Sequence, residues 1–85
     1  METKKYLDLR VPDLGDSDKI ELVKWLVTIG EEVMEGQELL ELVTDKANFP
    51  VESPFPGILT EVFVQAGSVV KKDDVLGRLE YWEID

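Results

Sequence analysis

Gly30-Glu31-Glu32-Val33-Met34-Glu35-Gly36-Gln37-Glu38-Leu39 decides the fold, because its skeleton returns 37 residues later as Gly67-x-x-Val70-x-x-Asp73-x-x-Leu76. The flanks repeat as well. Ile20-Glu21-Leu22-Val23-Lys24-Trp25-Leu26-Val27 precedes the first copy and Ile58-Leu59-Thr60-Glu61-Val62-Phe63-Val64 the second. Each copy reads as strand, glycine turn, very short strand, second turn, strand. The glycines suit turns because they accept positive φ where β-branched residues cannot. Short runs rich in Val, Ile, Leu and Phe, punctuated by turn signals every few residues, are an all-β signature. Two such halves, each with an open apolar face, bury those faces against each other as a sandwich or flattened barrel.

A helix is the competing reading, since residues 31–41 contain several good helix formers and Leu39, Leu42 and Val43 fit one helical face. Gly30 and Gly36 break that stretch, and the second copy is rich in β-branched residues, so strands are expected. They are placed at 5–11, 20–27, near 33, 38–44, 47–52, 57–65, near 70 and 75–82. Tyr81-Trp82 closes the last strand in this reading, and Glu83-Ile84-Asp85 frays. Between the two repeats lies Thr44-Asp45-Lys46-Ala47, flanked by Leu39-Leu40-Glu41-Leu42-Val43 and Asn48-Phe49-Pro50-Val51-Glu52. This is a hairpin tip with a lysine on it. Asp-Lys is not the Asn-Gly of a primed turn, so a type I turn is expected.

Eighty-five residues make one small domain, 1–85 with a core at about 6–82, too small for a deep substrate cleft. The hydrophobic fraction of 44% is that of a globular chain. A net charge of −10 opposes nucleic-acid binding, which needs Lys and Arg to displace counterions. Glu31, Glu32, Glu35, Glu38 and Glu41 crowd one third of the chain, either as a solvated face or as a surface that steers a basic partner. No apolar run is long enough to cross a bilayer and no signal peptide is visible, so no membrane association is expected. Absence of cysteine fits a reducing cytosol, and a bacterial-type cytoplasmic location is expected, or an organelle after loss of a targeting segment.

With the repeat in place, residues 8 to 80 resemble the lipoyl domains of the biotinyl/lipoyl-attachment family, as found in the dihydrolipoyl acyltransferase components of 2-oxo acid dehydrogenase complexes. The resemblance rests on Val11-Pro12-Asp13-Leu14-Gly15, Trp25, the Gly30/Val33/Gly36/Leu39 series, Thr44-Asp45-Lys46-Ala47, Ser53-Pro54, Gly57, Gly67, Val70 and Leu76. It implies a flattened barrel of two four-stranded antiparallel sheets with quasi-twofold symmetry. Biotinyl domains of this fold carry Met on both sides of their lysine; Asp45 and Ala47 resemble the lipoyl version instead. Asp73 departs from the family pattern, standing at a usual glycine and implying a looser turn. Pro50 and Glu52 depart too, and Gly15-Asp16-Ser17-Asp18-Lys19 is shorter than the matching loop of many members, which lies near the lysine and helps select the dehydrogenase.

What the resemblance implies is a carrier and not an enzyme. Lys46 would be the attachment point of lipoate, with Asp45 and Ala47 setting the turn and offering recognition flanks. The lipoyl arm would shuttle acyl groups and reducing equivalents among a thiamin-dependent 2-oxo acid dehydrogenase, a dihydrolipoyl acyltransferase and a dihydrolipoyl dehydrogenase, after a lipoate ligase or lipoyl transferase had loaded it. The isolated domain is expected to be a monomer. An unmodified interaction module, or a biotin carrier, is the alternative, and read without its context Lys46 is an ordinary solvated turn lysine. No catalytic or metal site is expected. Histidine and cysteine are absent. Asp13, Asp16, Asp18 and Glu21 miss the offsets of a calcium loop, and Ser17, Ser53 and Ser68 have no base. Gly30, Gly36, Gly57 and Gly67 are read as turn formers and Trp25 as core.

Overall fold

The computed structural model describes residues 1–15 and 19–84. It contains eight strands: β1 (Glu2–Arg10), β2 (Ile20–Trp25), β3 (Glu32–Val33), β4 (Glu38–Val43), β5 (Asn48–Glu52), β6 (Gly57–Val62), β7 (Ser68–Val70) and β8 (Val75–Ile84). They form two four-stranded antiparallel sheets, ordered β1-β8-β6-β3 and β5-β4-β2-β7. Exchanging β1 with β5, β8 with β4, β6 with β2 and β3 with β7 turns one sheet order into the other. The internal repeat is therefore a quasi-twofold of the fold, and residues 31–41 hold strands and a turn, not a helix.

The symmetry extends to single hydrogen bonds. Gly30 N donates to Leu59 O at 2.7 Å, and Gly67 N donates to Leu22 O at 2.6 Å. Leu26 N donates to Leu39 O at 2.8 Å, and Phe63 N to Leu76 O at 2.9 Å. Even the irregularities correspond. The β2–β4 register slips between Leu22 and Lys24, and the β6–β8 register between Leu59 and Glu61. The β4–β5 register slips at Leu39, which lets the adjacent Leu39 and Leu40 both turn inward, each 0% exposed.

Two leucine-rich clusters fill the interior. Val11, Ile20, Leu22, Leu40, Leu42, Val70 and Leu76 form one, and Leu9, Val27, Val33, Leu39, Leu59 and Leu79 the other. Trp25 packs against both and its indole Nε1–H donates to Val64 O at 2.9 Å, so it bridges the two halves of the core. Gly77, inside β8, makes room for it. A Cβ there would lie 2.9 Å from the indole Cη2 and 2.6 Å from Glu61 O.

Several expectations are corrected. Gly57 is not a turn former: it opens β6, and a Cβ on it would strike the Glu80 carbonyl. Positive φ belongs to Gly15, Gly30, Gly36 and Gly67. Asp73 does not loosen its turn. It takes φ 70° where Gly36 takes 82°, and Asp74 N donates to Lys71 O at 3.0 Å as Gln37 N does to Met34 O at 3.1 Å. Glu83 and Ile84 stay in the ladder, paired with Thr3 and Glu2, so β1 and β8 are longer than read from sequence, while Asp85 lies outside the described residues. Pro50 falls on β5, an edge strand, where its missing donor costs no ladder bond on the open side.

Candidate functional site

The site is built where β4 hands over to β5. Leu42 is buried in the core and Phe49 packs on the same cluster, so both legs of the hairpin are anchored. The ladder runs Leu42–Phe49, then Val43–Asn48. Thr44 and Ala47 close it, with Thr44 N donating to Ala47 O at 2.9 Å. Asp45 and Lys46 form the exposed tip. Among the described residues Asp73 is the only non-glycine with positive φ, so neither tip residue has the backbone a primed turn needs.

Thr44 is the residue that sequence reasoning passed over. It is 9% exposed, one of two buried polar residues among those described, and its hydroxyl organises the tip. Thr44 Oγ1 accepts from Lys46 N at 3.1 Å and from Ala47 N at 3.2 Å, and donates to Ala47 O at 3.2 Å. A Ser or Thr hydroxyl that bonds the backbone two and three residues ahead is a recognised turn device, so a threonine opening the tetrapeptide was the available signal.

The surroundings follow from the pairing. Glu21 lies opposite Val43 and Ile20 opposite Val70, which brings the Lys71–Asp74 turn to the lysine end. Val11 bonds Asp73 and Asp74 through its backbone, so the end of β1 and the start of β2, and with them the flanks of the intervening loop, lie at that end too. The paired ends of β1 and β8, Glu2 and Ile84, lie at the far end of a body whose long axis is 45 Å. A nine-residue strand at about 3.3 Å per residue separates the ends by roughly 30 Å.

In the β1–β2 connection, Asp13 accepts from Gly15 N at 3.0 Å and pairs with Lys72 at 3.6 Å. These hold its carboxyl below the usual value, the Gly15 amide first and the Lys72 charge second. Asp16, Ser17 and Asp18 lie outside the described residues. Among the described residues no three acidic, histidine or cysteine side chains gather as a metal site. The acidic run is only partly a free face. Glu31 accepts from Thr28 N at 3.2 Å, and Glu41 pairs with Lys24 at 3.8 Å and accepts from Asn48 Nδ2 at 3.1 Å. Glu32, Glu35 and Glu38 are exposed. No helix among the described residues is long and apolar enough to cross a membrane.

The chain is thus a two-sheet barrel with pseudo-twofold symmetry and a lysine on the hairpin joining its halves. The profile of the biotin/lipoyl family, described as "Biotin-requiring enzyme", matches residues 7–79, and the chain belongs to that family. Among curated proteins it is 35% identical over 74 residues to the dihydrolipoyllysine-residue succinyltransferase component of the 2-oxoglutarate dehydrogenase complex of Buchnera aphidicola, covering 86% of this chain and 19% of that protein. It is 38% identical over 73 residues to the lipoamide acyltransferase component of the branched-chain alpha-keto acid dehydrogenase complex of Pseudomonas aeruginosa, covering 85% and 17%. It is 31% identical over 74 residues to the dihydrolipoyllysine-residue acetyltransferase component of the Haemophilus influenzae pyruvate dehydrogenase complex, covering 87% and 13%. The chain thus spans about a fifth or less of the length of these relatives. Its fold is that of the lipoyl domain of the Azotobacter vinelandii 2-oxoglutarate dehydrogenase complex, with a TM-score of 0.72 at 23% identity, over 85% of this chain and 92% of that one.

Proposed function

We propose that this is a lipoyl carrier domain, that Lys46 is its attachment point, and that it serves a 2-oxo acid dehydrogenase complex. The observation that carries the reading is the position of Lys46: exposed at the tip of a hairpin whose legs are anchored in the core, at the end of the body away from both strand termini. An amine so placed can enter the active site of a modifying enzyme and then those of successive partners without the body following. Asp45 and Ala47 are exposed on either side and leave the approach open.

The residues fit lipoate. Attachment is an amide bond: the deprotonated Lys46 amine attacks a lipoyl carboxyl activated as its adenylate, the N–C bond forms, AMP leaves and the nitrogen loses a proton. ATP supplies the adenylyl group and releases pyrophosphate. Once attached, the dithiolane supplies the acyl-carrying and electron-carrying chemistry, which no residue of this cysteine- and histidine-free chain supplies. The chain's own part is presentation. The ladder Val43–Asn48 and the Thr44–Ala47 closure hold the tip away from the sheet, and tethering raises the effective concentration of the carried group at each partner.

The proposed partners are a lipoate ligase or lipoyl transferase, then a thiamin-dependent dehydrogenase, an acyltransferase core and a dihydrolipoyl dehydrogenase. Asp45 and Ala47 in place of two methionines, together with the acyltransferase components among its relatives, support lipoate over biotin. A ligase assay on Lys46→Arg tests the assignment. Wild type gains one lipoyl group and Lys46→Arg none; a variant that still took up lipoate would place the attachment elsewhere.

A further inference from the structure

We infer that the Thr44 hydroxyl is a positioning group for the modification of Lys46: it locks the hairpin tip into the one conformation that a modifying enzyme captures. This rests on the carrier reading above.

A threonine hydroxyl has one proton to give and two lone pairs to accept with. Thr44 uses all three, and every one goes to the tip. Two accept the consecutive amides of Lys46 and Ala47, at 3.1 and 3.2 Å, and the proton goes to Ala47 O at 3.2 Å. The two amide contacts lie within the ordinary N–H···O range, while the O–H···O contact is longer than usual and the weakest of the three. Thr44 as a residue is 9% exposed, so water competes only weakly for its hydrogen bonds. The main-chain bond from Thr44 N to Ala47 O, at 2.9 Å, closes the hairpin below the tip but places no restraint on the Lys46 amide. The hydroxyl reaches that amide directly, and so fixes the peptide plane from which the Lys46 side chain departs. Asp45-Lys46 lacks the glycine or asparagine that would confine a two-residue tip by sequence alone, and a neighbouring hydroxyl supplies the confinement instead.

The consequence for modification is specific. If the enzyme binds only the ordered tip, loosening it lowers the competent fraction and raises the apparent dissociation constant by the same factor. The defect then sits in KM, while kcat, read on the bound complex, is unchanged. Thr44→Val keeps the side-chain shape and removes the hydroxyl. Thr44→Ser keeps the hydroxyl and removes the methyl.

The test is steady-state lipoylation of wild type, Thr44→Val and Thr44→Ser by a lipoate ligase with ATP and lipoate. It is run at a temperature where circular dichroism shows all three folded, with amide hydrogen exchange at residues 46 and 47 measured alongside. The expected result for Thr44→Val is a KM about tenfold higher, the factor corresponding to about 1.4 kcal/mol, with kcat within about twofold and faster exchange at both amides. Thr44→Ser restores KM and protection. An unchanged KM in Thr44→Val overturns the inference, as does a Thr44→Ser defect equal to that of Thr44→Val, which would assign the role to the methyl. If Thr44→Val does not fold, exchange and KM in Thr44→Ser decide: wild-type values sustain the hydroxyl's role and a tenfold loss overturns it. Wild type left unmodified overturns the carrier reading itself, an outcome distinct from a modified wild type with an unaffected valine variant.

Discussion

The two halves share one backbone plan but solve it with different side chains. At the second turn of the first half Gly36 takes φ 82°, and the cap on Met34 N comes from Gln37 Oε1 at 2.9 Å. At the matching turn of the second half Asp73 takes φ 70°, and the cap on Lys71 N comes from Asp74 Oδ2 at 2.8 Å. Arg10 also donates to the Asp73 carbonyl at 3.0 Å. The geometry is set by the strands on either side, and the residue conforms to it. Aspartate is among the few non-glycine residues that tolerate this region, though at some cost. In the interior the asymmetry is larger. Trp25 of the first half reaches across to Gly77 of the second, and the repeat places Leu40 where Gly77 stands. A large residue in one half is matched by a missing side chain in the other.

The strongest attempt to break this comparison is Gly77→Ala. The added carbon meets the Glu61 carbonyl at 2.6 Å and the Trp25 ring at 2.9 Å, and a strand backbone cannot step aside cheaply. A loss of about 3 kcal/mol in urea unfolding is expected, at the upper end of overpacking costs. A loss below about 1 kcal/mol would mean that Trp25 and β6 yield freely. Next come the paired turns. Gly36→Asp should cost about 1 kcal/mol, all of it backbone strain, because nothing lies within 4 Å of the new Cβ. Asp73→Gly should gain a smaller amount, since the added freedom of the unfolded chain offsets part of the relief. Equal and opposite shifts in both would show that the turns are interchangeable. A loss at Asp73→Gly would show that its carboxylate contributes something the geometry does not reveal.

The smallest effect is at Asp13. Its carboxyl is held below the ordinary carboxylate value, by the Gly15 amide first and then by the Lys72 charge. A group lowered in the folded state stabilises above its unfolded pKa, and that contribution fades as pH falls through the lower folded value. Asp13→Asn should therefore flatten the acid limb of the stability curve slightly and leave its neutral plateau slightly lower. The group is exposed, so the change should shrink with added salt.

Much of the fold was legible because glycine spacing and apolar periodicity repeat, and a repeat that must bury two open faces leaves few architectures. All eight strands were expected, the short β3 and β7 included. What was missed depends on register and not on local pattern. The bulge at Leu39 is visible only once β5 is paired, although two adjacent leucines, Leu39 and Leu40, hinted at it. Gly57 was misread and Gly77 overlooked because close backbone approach depends on the neighbouring strand. An isolated glycine in Val75-Leu76-Gly77-Arg78-Leu79 was a fair sign of one. At the tip, Lys46 and its flanks could be placed from sequence. The Thr44 hydroxyl was passed over, although a threonine opening the tetrapeptide was its signal; its actual partners appear only when the hairpin is closed.

The most direct test of the account is intact mass with peptide mapping after incubation of the folded protein with a lipoate ligase, ATP and lipoate. The account predicts a single lipoyl-sized increment, carried entirely by the peptide containing Lys46. No increment on folded protein, or an increment on another of the chain's lysines such as Lys24 or Lys72, would contradict it.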